Sequence, residues 1–450
     1  MVKYYIPYFP TTIYLCPMSR FYFLIILLFS KYSIESQIYF PPTSGGQWDT
    51  ISPQSLGWCT DKIQPLYSFL DSNNTKAFIV LKDGKIVLEK YFGSFTKDSS
   101  WYWASVGKTL TAFCVGIANQ EGKLKLSDTT SKYLGKGWTS MTQAQEDKVT
   151  IWHQLTMSSG MLDSAGISDC TDKSCLRYKA DAGTRWAYHN APYTLLDSVI
   201  ESATGQNLNA FINAKLKATT GMTGLFIKSG NNNVYFSTPR SFARFGLLLM
   251  NKGLWNGTDL LKDSNYFRSM TTTSQPLNKS YGYLTWLNGK ESFMLPSIQN
   301  VFNGLLCPDA PVDMYAALGK NGQIINVIPS QNLVMIRMGD MWTSSNVPND
   351  FNNDIWKRLK QVICSTNASI TNTAFEDQLY PNPCTNEILL RTEKRYSNFE
   401  ITNLYGQKIL RGKLSHLIDV QALTPGIFFI ELYDEQSATV KRMRFEKRGE

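Results

Sequence analysis

The sequence predicts an α/β domain of the α+β type, with an antiparallel sheet flanked by helices and a helical insertion, followed by a small all-β sandwich. Two hairpin patterns lie far apart, at residues 76–92 and 322–340, with helical patterns between them. Short β-rich runs follow a polar stretch at residues 365–377. Strands at both ends of a helical region indicate one sheet built from distant segments, beside a crevice suited to a ligand.

The strand predictions depend on turn residues between β-rich runs. In KAFIVLKDGKIVLEKYF, the pair Asp83-Gly84 separates two apolar segments, and an Asp-Gly pair is a strong signal for a tight hairpin. In GQIINVIPSQNLVMIRMGD, residues 329–332 form the expected turn of a second hairpin. The segments YGYLTWLNG and DMYAALG are predicted as further strands.

Helices are predicted where apolar residues recur every three or four positions, and several of these patterns end at a glycine, as helix C-caps often do. They are TLTAFCVGIANQEG, APYTLLDSVIESATG, LNAFINAKLKATTG, TPRSFARFGLLLMNKG and, closing the domain, NDFNNDIWKRLKQVIC.

Charge and composition exclude some functions. The 450-residue chain carries a formal net charge of +9 and 43 % hydrophobic residues, so it is a globular protein with room for two domains. Its basic residues are dispersed rather than clustered. We therefore expect no nucleic-acid partner.

The N-terminus reads as a signal peptide covering residues 1–36. Arg20 precedes FYFLIILLFS, an apolar run too short to span a bilayer, and a polar stretch follows. A membrane anchor is the alternative. With cleavage near Ser36–Gln37, the mature chain is expected to have no integral membrane segment.

The cysteines are interpreted in the oxidising environment that export implies. Cys170 and Cys175 bracket a short polar loop, which favours a local disulfide. Cys114 lies on an apolar helix face and is expected in the core. The chain has eight cysteines and three histidines without zinc-site spacing, so no metal site and no cofactor are expected. The sequence does not indicate how the remaining cysteines pair: Cys59, Cys307, Cys364 and Cys384.

Ser105 and Lys108 carry the first catalytic signal. Positions i and i+3 share a helix face, so the Lys108 amine can reach the Ser105 hydroxyl at the start of an amphipathic helix. A lysine against an apolar wall has a lowered pKa and can take the serine proton. The helix N-terminus favours developing negative charge. A second S-x-x-K at Ser94–Lys97 has no such helix behind it and is predicted as a surface loop.

A Tyr-x-Asn motif supplies the second signal. It occurs at 188–190, 380–382 and 396–398, but only Tyr188 and Asn190 lie between helical segments facing the expected crevice. A phenol beside an amine can pass protons, and the amide can orient a substrate carbonyl or the lysine.

These motifs resemble the serine β-lactamase and penicillin-binding-protein superfamily, specifically its class C-like branch, over about residues 40–365. The resemblance is carried by SVGK, HQLTMSSGM, GTRWAYHN and the late hairpin. It implies the β-lactamase/transpeptidase-like fold and an acyl intermediate on Ser105. Lys108 and Tyr188 would share general acid–base duty, with Asn190 in support.

The third family motif departs from the family pattern. Its position falls at Ala317-Leu318-Gly319, where Ala317 replaces the usual cation, and the N–H of Lys320 would join that of Ser105 in an oxyanion hole. A literal match, Lys228-Ser-Gly230, is predicted on a loop. The missing cation favours an esterase or amidase acting on a small molecule or peptide. The alternatives are β-lactamase or D-alanyl-D-alanine carboxypeptidase activity, or a catalytically silent protein that binds cell-wall peptides.

Beyond the linker at 365–377, residues 378–450 resemble the C-terminal sorting domain of type IX secretion. The segments LYPNPCTNEILL, ITNLYGQKILRG and IDVQALTPGIFFIEL carry this resemblance. It implies the type IX machinery as a partner and an extracellular or cell-surface location. A small adhesive or carbohydrate-binding sandwich is the alternative.

Overall fold

A computed structural model describes residues 38–341, 347–364 and 378–449, apart from 45, 165, 392–395, 404–405, 416 and 435–438. The predicted signal peptide and linker lie outside the described residues. The chain divides into two compact units at the boundary between residues 364 and 365. Within the described residues, no helix combines the length and apolarity needed to cross a bilayer.

The strands of the first unit are β1 (Thr75–Lys82), β2 (Lys85–Tyr91), β3 (Trp101–Tyr102), β4 (Leu225–Ser229), β5 (Asn232–Ser237), β6 (Leu254–Trp255), β7 (Thr258–Asp259), β8 (Trp286–Leu287), β9 (Ser292–Met294), β10 (Val301–Asn303), β11 (Tyr315–Gly319), β12 (Gln323–Ile328) and β13 (Leu333–Gly339). Six of them form an antiparallel sheet in the order β2-β1-β13-β12-β11-β8. Pairing of β1 with β13 confirms the prediction that distant segments build one sheet.

The helices of the first unit are α1 (Ile63–Ser72), α2 (Val106–Gln120), α3 (Ser131–Leu134), α4 (Gln143–Glu146), α5 (Ile151–Leu155), α6 (Asn190–Thr204), α7 (Leu208–Ile212), α8 (Ala218–Thr220), α9 (Pro239–Met250), α10 (Ser264–Met270) and α11 (Asn349–Ile363). A single π-helical turn, Asn213–Lys217, joins α7 to α8. The predicted helical segments are all present.

The two predicted hairpins form for local reasons. Asp83 and Gly84 have φ values of 50° and 81°, the left-handed pair that a tight hairpin turn requires. A side chain at Gly84 would also lie 1.9 Å from the Tyr39 carbonyl oxygen. The second hairpin turns through a short 3₁₀ segment, Pro329–Gln331, and ends at Asn332 with φ 45°.

Helix α2 is the central element of the core. Residues Val106 to Ala118 are all buried, because the sheet lies on one side and helix α6 on another. Close packing needs small residues at contact points. A side chain at Gly116 would lie 2.5 Å from the Tyr266 ring. This burial fixes the first turn of α2 relative to the end of β11.

Two disulfides are present among the described residues. Cys170 is joined to Cys175 within one loop, and Cys59 is joined to Cys364 across a separation of 305 residues. The Cys59–Cys364 disulfide closes a loop that contains nearly the whole first unit. It attaches the C-terminal end of α11 to a segment near the beginning of that unit. In the described part of the chain, three further cysteines are buried and form no disulfide: Cys114, Cys307 and Cys384.

The second unit is all-β, as predicted. Its strands are β14 (Gln378–Tyr380), β15 (Glu387–Arg391), β16 (Asn398–Asn403), β17 (Lys408–Lys413), β18 (Leu417–Asp419), β19 (Gly426–Tyr433) and β20 (Thr439–Lys447). They form a three-stranded sheet, β14-β15-β18, and a four-stranded sheet, β17-β16-β19-β20. Side chains from both sheets share one apolar core, including Ile388, Ile401 and Ile430.

Candidate active site

The backbone before helix α2 presents Ser105 at the mouth of the helix. Trp103 is fully buried and anchors this segment, since its indole N–H donates to Ser237 Oγ at 2.8 Å and its amide to the Tyr235 carbonyl at 2.8 Å. Ala104 follows with φ 47°, a left-handed conformation that is strained for a residue other than glycine. The chain then enters α2 with Ser105 at the N-cap position.

Lys108 lies one turn into the helix and meets the serine. Its Nζ donates to Ser105 Oγ at 2.8 Å, and the side chain is 3 % exposed. The nitrogen lies 4.1 Å from the ring centre of Tyr193 and 5.1 Å from that of Tyr188. Burial lowers the pKa of Lys108 to about 7, against the opposing effect of nearby carboxylates. Near neutral pH a substantial fraction of this amine can therefore accept the serine proton.

Tyr188 approaches the same hydroxyl from the loop before α6. Tyr188 lines the same cleft as Ser105 and Lys108, and burial raises the pKa of the phenol well above its usual value. The ring stacks on Trp286 with centroids 5.7 Å apart and meets Tyr281 edge-on. This aromatic packing fixes the ring, so a protonated phenol is held at the serine.

Asn190 begins helix α6. Its motif suggests that the amide orients Lys108 or a substrate carbonyl, but in the structure the amide binds the carboxylate of Asp169. Asn190 Nδ2 donates to Asp169 Oδ1 at 2.5 Å, while its own buried Oδ1 has no hydrogen-bond partner among the described residues. Asp169 lies in the loop immediately before the Cys170–Cys175 disulfide. Sequence reasoning did not find Asp169, and the neighbouring cysteine pair was the only local sign that this loop is held in place.

Gly319, the last residue of β11, packs against the start of α2. A Cβ at this position would lie 2.7 Å from the Trp103 carbonyl oxygen and 3.0 Å from the Ser105 nitrogen. Ala317 lies two residues earlier and is buried, so it shares the Gly319 face of the strand. The third-motif strand thus runs beside the nucleophile, and the backbone of Lys320 follows directly.

The cleft around these groups has a volume of about 460 Å³. It is lined by Tyr102, Ala104, Ser105, Lys108, Gly166, Ser168, Asp169, Tyr188, Asn190, Tyr193, Asn232, Asn233, Val234, Pro296, Ser297 and Lys320. The predicted residues Ser105, Lys108, Tyr188, Asn190 and Lys320 therefore lie together. Ala317 and Leu318 are buried in the strand behind the cleft.

The loop prediction for Lys228-Ser-Gly230 is wrong. Lys228 and Ser229 end β4, which pairs with β5, and β5 pairs with β3. The polar run after Gly230 conceals this hairpin, because its residues lack the usual strand composition. The same hairpin supplies Asn232 and Asn233 to the cleft.

Asp197 lies beneath the cleft on helix α6 and was also missed. Its carboxylate accepts hydrogen bonds from Thr111 Oγ1 at 3.1 Å and Asn233 Nδ2 at 3.0 Å. Burial raises its pKa to about 7. The carboxyl group thereby connects α2, α6 and the hairpin that lines the cleft. A single aspartate inside an amphipathic helix carries no sequence signal for this role.

The Beta-lactamase family model matches residues 74–361, which is more than half of the chain and includes all of these groups. The chain belongs to the beta-lactamase family of serine hydrolases. A second family model, the secretion system C-terminal sorting domain, matches residues 378–446. The sorting domain indicates a secreted or cell-surface protein that uses the type IX machinery.

Two curated relatives and one solved structure illustrate the range of this family. An uncharacterised protein of Alkalihalophilus pseudofirmus is 25 % identical over 321 residues, 63 % of this chain and 88 % of the relative. Esterase EstB of Burkholderia gladioli is 29 % identical over 175 residues, 32 % of this chain and 44 % of the esterase. A candidate 6-aminohexanoate-dimer hydrolase from Bacillus anthracis superposes with a TM-score of 0.56 at 18 % identity, covering 72 % of this chain and 89 % of that one.

Proposed function

We propose that this protein hydrolyses an ester or amide bond in a small molecule or peptide through an acyl-enzyme on Ser105. The observation that carries the proposal is the convergence of three groups from two segments. The Lys108 amine lies 2.8 Å from Ser105 Oγ, and Tyr188 lines the same cleft with its ring centre 5.1 Å from that amine. A hydroxyl with a buried amine and a phenol is an activated nucleophile with its proton route in place.

In the proposed reaction, Ser105 Oγ bonds to the substrate carbonyl carbon while its proton moves to the neutral amine of Lys108. The oxyanion accepts hydrogen bonds from the N–H groups of Ser105 and Lys320. As the carbonyl reforms, the bond to the leaving group breaks. Tyr188 donates a proton to that group and is reprotonated by Lys108. Water then repeats the sequence on the acyl-enzyme and releases the acid.

Ala317 supports the choice of ester or amide over β-lactam. A buried methyl group stands where the penicillin-recognising members of the family place a cation for the substrate carboxylate. The partial match to an esterase points the same way. β-Lactamase or D-alanyl-D-alanine carboxypeptidase activity is the second candidate, because Lys320 is exposed and lines the cleft.

A substrate comparison tests this choice. We expect turnover of p-nitrophenyl acetate with a kcat/KM at least about 10²-fold above that for nitrocefin, since removal of one charged contact costs a few kcal/mol of transition-state binding. Both rates are measured on the same preparation by absorbance. Ser105→Ala provides the background for each substrate.

Faster nitrocefin than ester hydrolysis would overturn the esterase assignment and place the carboxylate-binding charge on Lys320. Absence of turnover with both substrates, in a folded preparation, would favour a silent protein that binds cell-wall peptides.

We further propose that residues 1–36 are removed on export, leaving a hydrolase domain at 37–364, a linker at 365–377 and a sorting domain at 378–450. The division of the chain into two compact units supports this arrangement. Secretion through the type IX route would place the hydrolase outside the cell.

A further inference from the structure

Arg337 is a buried charge that the proposed chemistry does not use. It lies in β13, its side chain is fully inaccessible to solvent, and it packs 5.0 Å from the ring centre of Phe351. A buried guanidinium is costly, so its retention needs a reason. We propose that Arg337 is a positioning residue for the oxyanion hole, holding the turn after Gly319 so that the Lys320 N–H faces Ser105. The proposal rests on the acyl-transfer function above.

Four of the five hydrogen bonds that Arg337 donates go to backbone carbonyl oxygens. Its Nη1 donates to the carbonyl oxygens of Asn321 at 2.8 Å and Gly322 at 3.0 Å. Its Nη2 donates to the carbonyls of Asn73 and Asp340, each at 2.7 Å. Its Nε donates to the side-chain oxygen of Thr75 at 3.0 Å. All five N–H groups of the fork therefore bind neutral oxygens.

The turn that receives Nη1 has an unusual backbone. Asn321 and Gly322 have φ values of 62° and 74°, so two successive residues are left-handed. Such a conformation costs free energy at a residue other than glycine and persists only where its surroundings hold it. A Cβ at Gly322 would lie 2.4 Å from Arg337 Nη1. The chain therefore bends around the guanidinium immediately after Lys320.

A second set of bonds ties the same turn to the segment that carries the nucleophile. Asn321 Nδ2 donates to the Tyr102 hydroxyl at 2.7 Å, and that hydroxyl donates to Asp340 Oδ1 at 3.2 Å. Tyr102 lines the cleft three residues before Ser105. On the other side, Gln323 Nε2 donates to the Gly339 carbonyl at 2.6 Å.

These contacts connect both proposed oxyanion donors. The Ser105 nitrogen is set by the segment that begins at Tyr102, and the Lys320 nitrogen by the turn at 320–322. Arg337 binds the turn at 320–322 directly, and it is connected to the segment that begins at Tyr102 through Asn321. Loss of the fork should therefore shift one N–H away from the oxyanion, which lowers kcat while leaving ground-state binding unchanged.

Arg337→Lys keeps a positive charge but loses the two-pronged contact with the turn. With p-nitrophenyl acetate we expect kcat to fall at least about 30-fold with KM unchanged. The inhibition constant of phenylboronic acid, which mimics the tetrahedral intermediate on serine, should rise by a similar factor. A purely structural role would lower the melting temperature without this parallel change.

Arg244 offers a matched control. It is also buried, and its guanidinium also binds backbone carbonyls, those of Pro41, Pro42 and Thr220, none of which lines the cleft. Arg244→Lys should lower the melting temperature and leave kcat and boronate affinity unchanged. If Arg337→Lys behaves like Arg244→Lys, with kcat within about threefold of the native value, the proposal is overturned.

Two milder variants keep the test decisive if Arg337→Lys does not fold. Tyr102→Phe and Asn321→Gly each remove the hydrogen bond between the turn and the Tyr102 hydroxyl, and glycine keeps the left-handed backbone. Each should lower kcat about tenfold at an unchanged melting temperature. Unchanged kcat in both would overturn the proposal. Failure of the acyl-transfer function itself would differ, since the native protein would then show neither turnover nor boronate inhibition.

Discussion

Replacement of Ser105 by alanine is expected to lower kcat/KM for p-nitrophenyl acetate by at least about 10⁴-fold. The reason is that the covalent route requires this oxygen. Lys108 donates to Ser105 Oγ and Tyr188 lines the same cleft, so both residues lose their proton-transfer partner when this oxygen is removed. The fold should persist, because the substitution removes one hydroxyl at the edge of a cleft.

Ser94→Ala is the matched control, since Ser94 belongs to the other S-x-x-K sequence. Ser94 lies exposed in a turn, and the Lys97 ammonium pairs with Asp98 at 3.0 Å. Its kcat/KM should equal that of the native protein. If folded Ser105→Ala protein retained more than about one hundredth of native turnover, Ser105 would be removed from the mechanism.

Replacement of Lys108 by methionine is expected to reduce kcat/KM about 10³-fold and, at the same time, to stabilise the protein. Methionine has nearly the same length and is apolar, so it suits the buried space that Lys108 occupies. In the native protein kcat/KM should rise as the pH increases through about 7, because only the neutral amine can accept the Ser105 proton. The methionine variant should lose this rise.

The stability change follows from the same lowered pKa. Below pH 7 both folded and unfolded chains hold the Lys108 proton, and the buried charge lowers the free energy of unfolding by up to about 5 kcal/mol. Between about pH 7 and 10.5 the unfolded chain binds more protons, so the penalty shrinks as the pH rises. Lys108→Met should therefore raise the free energy of unfolding by about 2–4 kcal/mol at pH 6 and by little at pH 10.

Urea unfolding at the two pH values measures this change, and Lys97→Met serves as the exposed control with no effect on either rate or stability. A variant that is less stable than the native protein at pH 6, or that keeps the rise in kcat/KM near pH 7, would show that Lys108 is neither the buried charge nor the base.

The parts of the fold that depend on local signals could be predicted from the sequence. The Asp83-Gly84 turn forms because left-handed backbone is easy there, and α2 forms because its apolar stripe meets the sheet. The pairing of Ser105 with Lys108 follows from helix geometry alone. The Tyr-x-Asn motif singles out Tyr188, but its place beside Ser105 depends on a fold that brings two distant segments together, and only the family resemblance implied its role there.

The parts that depend on distant contacts could not be predicted. Cys59 and Cys364 are 305 residues apart, so nothing local marks them as partners. Asp169 and Asp197 look like ordinary acidic residues of a loop and a helix. Arg337 sits in an apolar strand, where its bonds to the turn at 320–322 become visible only after β12 and β13 are paired.

Labelling with a fluorophosphonate tests whether Ser105 is an activated nucleophile, since this probe bonds covalently to such a serine with loss of fluoride. We expect one adduct per chain in the intact mass of the native protein, assigned by peptide mapping to Ser105. The adduct should be absent from Ser105→Ala and strongly slowed in Lys108→Met. A folded native protein that gains no adduct, or gains it at another residue such as Ser94, would show that Ser105 is not the activated nucleophile.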